Sequence, residues 1–313
     1  MSAPTLVRTP PHKAEWKKIR EGMAAVWRTC LPDEEGFDVA RSLTINFVGV
    51  AARATADQLR AAVERLQQRA PCRAFLVLID DAAKVGEAEL TATTRCHGNV
   101  RDIVLEEIAI RLPGTAFGQL PGLIRPLLMN DLRNHLFWCD RWPVAEADFT
   151  GLADLCDHVV VDSRLFANPE PDLARVAAQR AAGRHVADLS WLRLRPWRRA
   201  LAEAFERVAW TAGTPVTATI RHGKNGLAAA QLFAGWLHAR LHATAKLDPN
   251  GDPASPCPDN IALRTPAFEI ELGVLRQQIR VHVSTPEHCY LPFTVPASRG
   301  ADGDLLAAAI DLG

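Results

Sequence analysis

Apolar positions follow two periods along this chain. Over 15–29, Trp16, Ile19, Met23, Val26 and Trp27 recur at helical spacing, which predicts a packing helix in an N-terminal arm. The stretch 31–36, Leu-Pro-Asp-Glu-Glu-Gly, breaks it. Residues 42–50 and 73–79 are apolar, β-branched runs that read as strands. Between them, 56–70 places Leu59, Ala62, Val63 and Leu66 on one helical face, with Thr55 at the N-cap position. This is a βαβ pattern. Two more strands are predicted near 89–95 and 102–111, then a Gly/Pro-opened helical run over 114–129, a strand over 135–139, a short helix over 148–154 and a strand over 158–161. An Ala-rich helix over 171–182 closes on Gly183, a short strand covers 186–189, and 191–208 is helical after a kink. A strand over 215–221 and a helix over 227–242 follow. The turn-rich loop 248–258 leads to short strands over 261–263, 267–272 and 278–283, joined too closely for helices and therefore antiparallel. The tail 299–313 suits a short helix or no fixed structure.

This pattern predicts an α/β fold: mixed sheets flanked by helices, in two α/β lobes with an antiparallel C-terminal section. The expected division is an arm with its packing helix over 1–40, an α/β domain over 41–164, a C-terminal α/β domain over 165–296 and a tail over 297–313.

At 313 residues and 48% hydrophobic, the chain can build full cores without staples. Its 36 basic and 36 acidic residues cancel. General nucleic-acid and membrane-surface binders carry a basic excess, so neither partner is expected. No apolar stretch approaches the roughly 18 residues that span a bilayer. The first 18 residues lack an apolar run, which predicts no secretory signal, a cytoplasmic location and reduced thiols. The cysteines number seven, with no C-x-x-C spacing. Cys139 and Cys156 read as buried in strand-like context; Cys257, between Pro256 and Pro258, reads as the most exposed.

Candidate chemistry is sparse. No G-x-G-x-x-G, P-loop, G-x-S-x-G or H-E-x-x-H is present, which makes an enzyme less expected without excluding one; no cofactor or metal site is read. Gly223-Lys224-Asn225-Gly226 suits either a phosphate turn or, better, a plain strand-to-helix turn. His238 and His242 have the i, i+4 spacing of metal ligands without a third, and read as an exposed pair. Asp80-Asp81 and Glu106-Glu107 are adjacent; strand neighbours point to opposite faces, so neither pair makes an acid–base dyad.

The informative segment is 188–199, Asp-Leu-Ser-Trp-Leu-Arg-Leu-Arg-Pro-Trp-Arg-Arg. Pro196 fits the first turn of a helix, so Arg193, Arg195, Arg198 and Arg199 crowd a helix N-terminus. Exposed cations there are unfavourable by about 0.3–1 kcal/mol each. They need anions: the chain's own Asp188, Glu203 and Glu206, a phosphate, or an acidic partner. Trp191 and Trp197 among them fit an interface hot spot or a core. The predicted partner-binding set is therefore Trp191, Arg193, Arg195, Trp197, Arg198 and Arg199. A second reading makes Arg193, Arg198 and Arg199 a clamp on a sugar phosphate, with Asp162 as general base. Three further blocks stand out. Residues 123–138 carry Asp131 in a turn. Val160-Val161-Asp162-Ser163 ends a strand, where open α/β sheets place binding residues or a turn cap. Residues 231–241 hold Ala234-Gly235, small enough for close helix packing.

In order, P-L-L-x-x-D-L…W, V-D-S, D-L-S-W-x-R-L-x-P-W-R and A-G-W-L-x-x-R-L resemble the glucose-6-phosphate dehydrogenase assembly proteins, the OpcA family. The third string is long and unusual, and the resemblance spans residues 41–283. The positions it carries over are Asp131, Trp138, Asp162, Ser163, Asp188, Trp191, Arg193, Pro196, Trp197, Arg198, Gly235, Trp236 and Arg240. The resemblance implies a cytoplasmic, non-catalytic protein, with an α/β N-terminal part and a C-terminal domain, that binds glucose-6-phosphate dehydrogenase and promotes its assembly or activation. The chain departs from the family pattern in three places. Asn130-Asp131-Leu132-Arg133 replaces Pro-Asp-Leu-Pro, and Phe137-Trp138 replaces a Trp pair. Arg195 replaces a capping Thr and cannot accept a bond from helix amides.

Overall fold

A computed structural model describes residues 5–30, 38–97, 100–211, 213–297 and 302–311. The expected break at 31–36 lies outside them. The chain divides into two compact units: Met1–Val161 with Arg180–Ala187 and Asp302–Gly313, and Asp162–Gln179 with Asp188–Ala301.

The first unit begins with β1 (Thr5–Arg8), β2 (His12–Glu15), α1 (Ile19–Cys30) and β3 (Asp38–Arg41). β4 (Ile45–Ala52), α2 (Ala56–Leu66) and β5 (Cys72–Ile79) form the predicted βαβ unit, with β4 and β5 parallel. Leu59, Ala62, Val63 and Leu66 are all buried, as the helical spacing requires. Thr55 caps nothing: its hydroxyl donates back to the Ala52 carbonyl at 3.3 Å. β6 (Glu87–His97) and β7 (Val100–Leu112) are antiparallel, and β7 runs parallel to β5. After α3 (Leu120–Ile124), β8 (Arg133–Trp138) joins β4 in parallel; α4 (Glu146–Ala153) and β9 (His158–Val161) follow, β9 parallel to β8. Among the described residues this sheet holds ten strands. Eight form the path β1-β6-β7-β5-β4-β8-β9 and then Val186–Asp188; β2 pairs with β6 and β3 with β7. Glu106 and Glu107 take opposite faces of β7. Glu106 pairs with Arg41 at 2.8 Å and Arg73 at 2.7 Å, while Glu107 pairs with Arg8 at 2.9 Å.

The chain continues through α5 (Pro169–Ala181), β10 (Val186–Asp188), α6 (Leu189–Arg193) and α7 (Arg195–Phe205). The kink expected before Trp191 is instead a break at Leu194, between α6 and α7, inside the expected helix. β11 (Thr217–Arg221), α8 (Leu227–Leu241) and β12 (Thr244–Asp248) form a second βαβ unit, with β11 and β12 parallel. β13 (Asn260–Arg264), β14 (Glu269–Leu275), β15 (Gln278–Ser284) and β16 (Phe293–Pro296) add the antiparallel section. The second sheet runs β12-β11-β13-β14-β15-β16, and α7 and α8 pack on it. The tail is helical: α9 (Asp302–Asp311) belongs to the first unit and packs on α2. The protein is thus mixed α/β, with two sheets flanked by helices. Among the described residues, no helix is long and apolar enough to cross a membrane.

The thiols differ in part from expectation. Cys139 is buried, but Cys156 is half-buried and follows a turn, and the exposed thiol is Cys289 rather than the half-buried Cys257. Cys257 is held inward because its loop packs against Gly226, and its sulfur lies 3.9 Å from the Arg193 carbonyl.

Candidate functional site

The buried residues of β9, His158 and three valines, carry the chain into the interior, so the next side chain, Asp162, is wholly buried. A buried carboxylate needs cations and donors. Arg193, at the end of α6, supplies both in a two-pronged pair, Nη1 to Oδ1 at 2.7 Å and Nη2 to Oδ2 at 2.9 Å. Arg164 adds its guanidinium at 2.9 Å and its amide at 3.3 Å. Asp162 also caps the 3-10 turn Ser163–Leu165.

Asp188 makes the reciprocal link. It caps α6 by accepting the Ser190 amide at 2.9 Å, and the same oxygen accepts the Ser163 amide at 3.2 Å. Each motif thus offers its carboxylate to the other: Asp162 to Arg193, and Asp188 to Ser163. The other Asp188 oxygen and the Ser163 and Ser190 hydroxyls are buried without a hydrogen-bond partner. Burial pushes the Asp188 carboxyl up to about 6, against the lowering pull of Ser163, and neighbouring Asp162 pushes it further the same way.

The tryptophan-arginine segment divides by direction. Trp197 turns inward and joins the core with Leu194, Ala200, Leu201 and Phe233. Arg193 is 6% exposed. Neither forms outer surface, so of the six residues predicted to bind a partner these two lie behind the surface rather than on it. The helix presents one stripe outward at a time, and Arg195, Arg198 and Arg199 share it at i, i+3 and i+4. Arg195 and Arg199 are exposed. Arg198 lies 3.5 Å over the half-buried Trp191 ring and donates to the Trp191 carbonyl at 3.2 Å. Partial burial, then the Arg195 charge, holds the Arg198 guanidinium below its ordinary range. Pro196 is half-buried in the first turn of α7.

The sugar-phosphate clamp is not assembled. Arg193 and Asp162 satisfy each other, which removes one arm of the clamp and its base together. Gly223 and Gly226 do not form an anion cradle either. A β-carbon on Gly223 would stand 1.7 Å from the Asp252 carbonyl oxygen, and one on Gly226 2.8 Å from that of Cys257. These glycines admit the 252–257 backbone, so the plain turn is what forms. His238 and His242 are exposed, with ring centroids 6.3 Å apart. Among the described residues, no group of three His, Cys, Asp or Glu could hold a metal ion.

The remaining motif positions lie elsewhere. Asp131 is exposed in the turn before β8. Trp138 is buried at the end of β8; its Nε1–H donates to the Arg141 carbonyl at 2.8 Å and its ring meets Phe117 and Phe149. On α8, Trp236 packs partly against the core through Phe233, while Gly235 and Arg240 are exposed. The expected close packing at Gly235 is absent: a β-carbon there would meet open space. Sequence reading singled out Asp162, Asp188 and Arg193 but missed their pairing. The available signal was Asp162 itself, a charge carried into the interior behind three consecutive valines.

Fold and site together define a class: a two-unit α/β protein whose shared motifs fasten the second unit's elements together and leave a short arginine stripe facing outward. Two family models match in chain order, described as the glucose-6-phosphate dehydrogenase subunit N-terminal domain over residues 63–178 and its C-terminal domain over residues 184–312. The chain belongs to the OpcA family of glucose-6-phosphate dehydrogenase assembly proteins. It is 31% identical over 183 residues to a "Putative OxPP cycle protein OpcA" of Nostoc punctiforme, covering 57% of this chain and 39% of that protein. It is 32% identical over 182 residues to a protein of the same description from Synechocystis sp., covering 56% and 38%. The match thus spans about two fifths of these relatives' length. Among solved structures, the 3-ketoreductase KijD10 of Actinomadura kijaniata, complexed with NADP and TDP-benzene, superposes with a TM-score of 0.50. Its identity is 11%, over 86% of this chain and 88% of that one, which is a likeness of fold alone.

Proposed function

We propose that this chain is a non-catalytic, cytoplasmic accessory protein that binds glucose-6-phosphate dehydrogenase of the oxidative pentose phosphate cycle and promotes its assembly or allosteric activation. The observation that carries this reading is the ordered match of both assembly-family models across residues 63–312. No cofactor and no nucleic-acid or membrane partner is part of it. The outward stripe of Arg195, Arg198 and Arg199, braced by the Trp191 ring, is the proposed contact. It combines fixed positive charge with an aromatic shelf, the residue types that dominate interface energetics. Activation follows if the chain binds one state of the enzyme more tightly than the other, since only differential affinity moves an equilibrium.

The test is to mix the purified chain with the dehydrogenase of the same organism. Expected are co-migration in size exclusion, a shift to the larger oligomer and a lower KM for the sugar phosphate. The Arg195→Glu, Arg199→Glu double variant is expected to weaken binding at least about tenfold with an unchanged Tm, because both side chains are exposed. Identical kinetics with and without the chain, together with separate migration, would end the reading.

A further inference from the structure

Parallel α/β sheets receive ligands at the edge where their strands end. In the dinucleotide-binding version, glycines in the first βα turn let the pyrophosphate approach the backbone and rest on the amides of the following helix. The first unit has this layout: β4, β5, β7 and β8 run parallel, and β4 passes directly into α2. The fold therefore implies a dinucleotide, and the residues can be tested against it.

They do not fit. Residues 52–57 read Ala-Arg-Ala-Thr-Ala-Asp, so a side chain stands at each position where a glycine would admit the phosphates. Asp57 lies in the first turn of α2, where the helix's positive end already faces a carboxylate of the chain. Directly across from this turn, Asp140 follows the end of β8. Its Oδ1 accepts the Arg141 amide at 2.8 Å, and β4 and β8 pair in parallel so that Asp140 lies beside Ala52, the last residue of β4. Two more carboxylates close the rest of the edge. Asp81 Oδ1 accepts the Gly114 amide beyond β7 at 3.1 Å, and Asp80 Oδ1 accepts the Ala82 amide at 3.1 Å.

Two features favour a dinucleotide. Asp80 follows β5, where dinucleotide folds place the carboxylate that takes a ribose hydroxyl. Arg53 and Arg141 are exposed cations at the same edge. Side-chain cations on the rim can meet the outside of a phosphate. They do not replace backbone donors that an internal carboxylate has taken, and an entering pyrophosphate would be set against that like charge.

We infer that Asp140 occupies the anion seat of the first unit, and that the chain takes no nicotinamide dinucleotide there. This stands independently of how the chain meets its partner. The full chain is titrated with NADP+ and NADPH up to about 1 mM, following nicotinamide fluorescence and Tm. Both are expected to stay flat; saturable binding with a Kd below about 100 μM would overturn the inference. Asp140→Ala is then titrated with inorganic pyrophosphate and is expected to bind it about tenfold more tightly than the parent chain does. Asp140→Asn, which keeps the acceptor and loses the charge, gives the same direction if the alanine variant folds poorly. Pyrophosphate affinities equal in the parent and in the folded variants would show that Asp140 is not the occupant.

Discussion

A carboxylate with no exposed surface is held only as well as the cations that reach it, and Asp162 has two. Arg193→Met removes the two-pronged partner and leaves Arg164 alone; it is expected to cost about 3–5 kcal/mol in urea unfolding. Adding Asp162→Asn should recover part of that loss, because the uncompensated charge is then gone. Asp188 makes an opposite kind of prediction. Its folded value of about 6 lies above the ordinary 3.8, so the native chain holds this proton more tightly than the unfolded one. The group's contribution is therefore full below the ordinary value and is lost as pH rises through about 6. Asp188→Asn keeps the acceptor for the Ser163 and Ser190 amides; from pH 4 to 7 it should gain about 3 kcal/mol on the parent. His135 slopes the other way. Burial, then His158, pushes it down to about 4 from 6.5, so its contribution is present above the ordinary value and is lost as pH falls toward 4. His135→Phe should blunt acid unfolding in that window, read by fluorescence-detected melts at stepped pH.

At the scale of elements, two glycines separate close approach from open space. Gly223→Ala forces a β-carbon onto the Asp252 carbonyl, and backbone cannot swing aside as a side chain would; a loss of more than about 2 kcal/mol is expected. Gly235→Ala, on an exposed face of α8 with room around it, should gain about 0.5–1 kcal/mol from helix propensity. Paired thermal melts decide both. What the sequence revealed follows the same physics. Strands with buried apolar runs, such as β4 and β5, and helices with a continuous apolar stripe, such as α2, were legible because burial imposes a period. β1 and β2 were not, since edge strands with mostly exposed side chains carry no alternation. β12 was not legible either, because Thr-Ala-Lys-Leu-Asp buries no residue fully and pairs only along one edge. The helix start at Pro196 and the motif residues were readable, but the Asp162–Arg193 pair was not: it joins positions 31 residues apart, and no local spacing encodes it.

For the whole molecule, a net charge of zero conceals how unevenly the cations are used. Arg41, Arg73 and Arg193 serve buried carboxylates, while Arg195 and Arg199 face outward. Composition therefore spoke against a general polyanion binder without addressing a local stripe. The first unit also depends on a distant part of the chain. A β-carbon on Gly303 of α9 would stand 2.6 Å from the Arg65 β-carbon and 3.0 Å from the Ala62 carbonyl oxygen of α2. Gly303→Val should lift α9 from α2. The expected readout is faster amide exchange in α2, with β13–β15 unchanged; equal exchange in both would refute the assignment of α9 to the first unit.

That assignment sets a timetable for synthesis. When the ribosome has made β9, the first sheet has nearly all its strands, yet the helix that shields the outer side of α2 lies beyond the whole of the second unit in chain order. The earlier half must wait, with a greasy flank uncovered, while more than a hundred further residues emerge. Nascent chains halted anywhere between α6 and β16 should therefore lean on chaperones more heavily than the finished protein does.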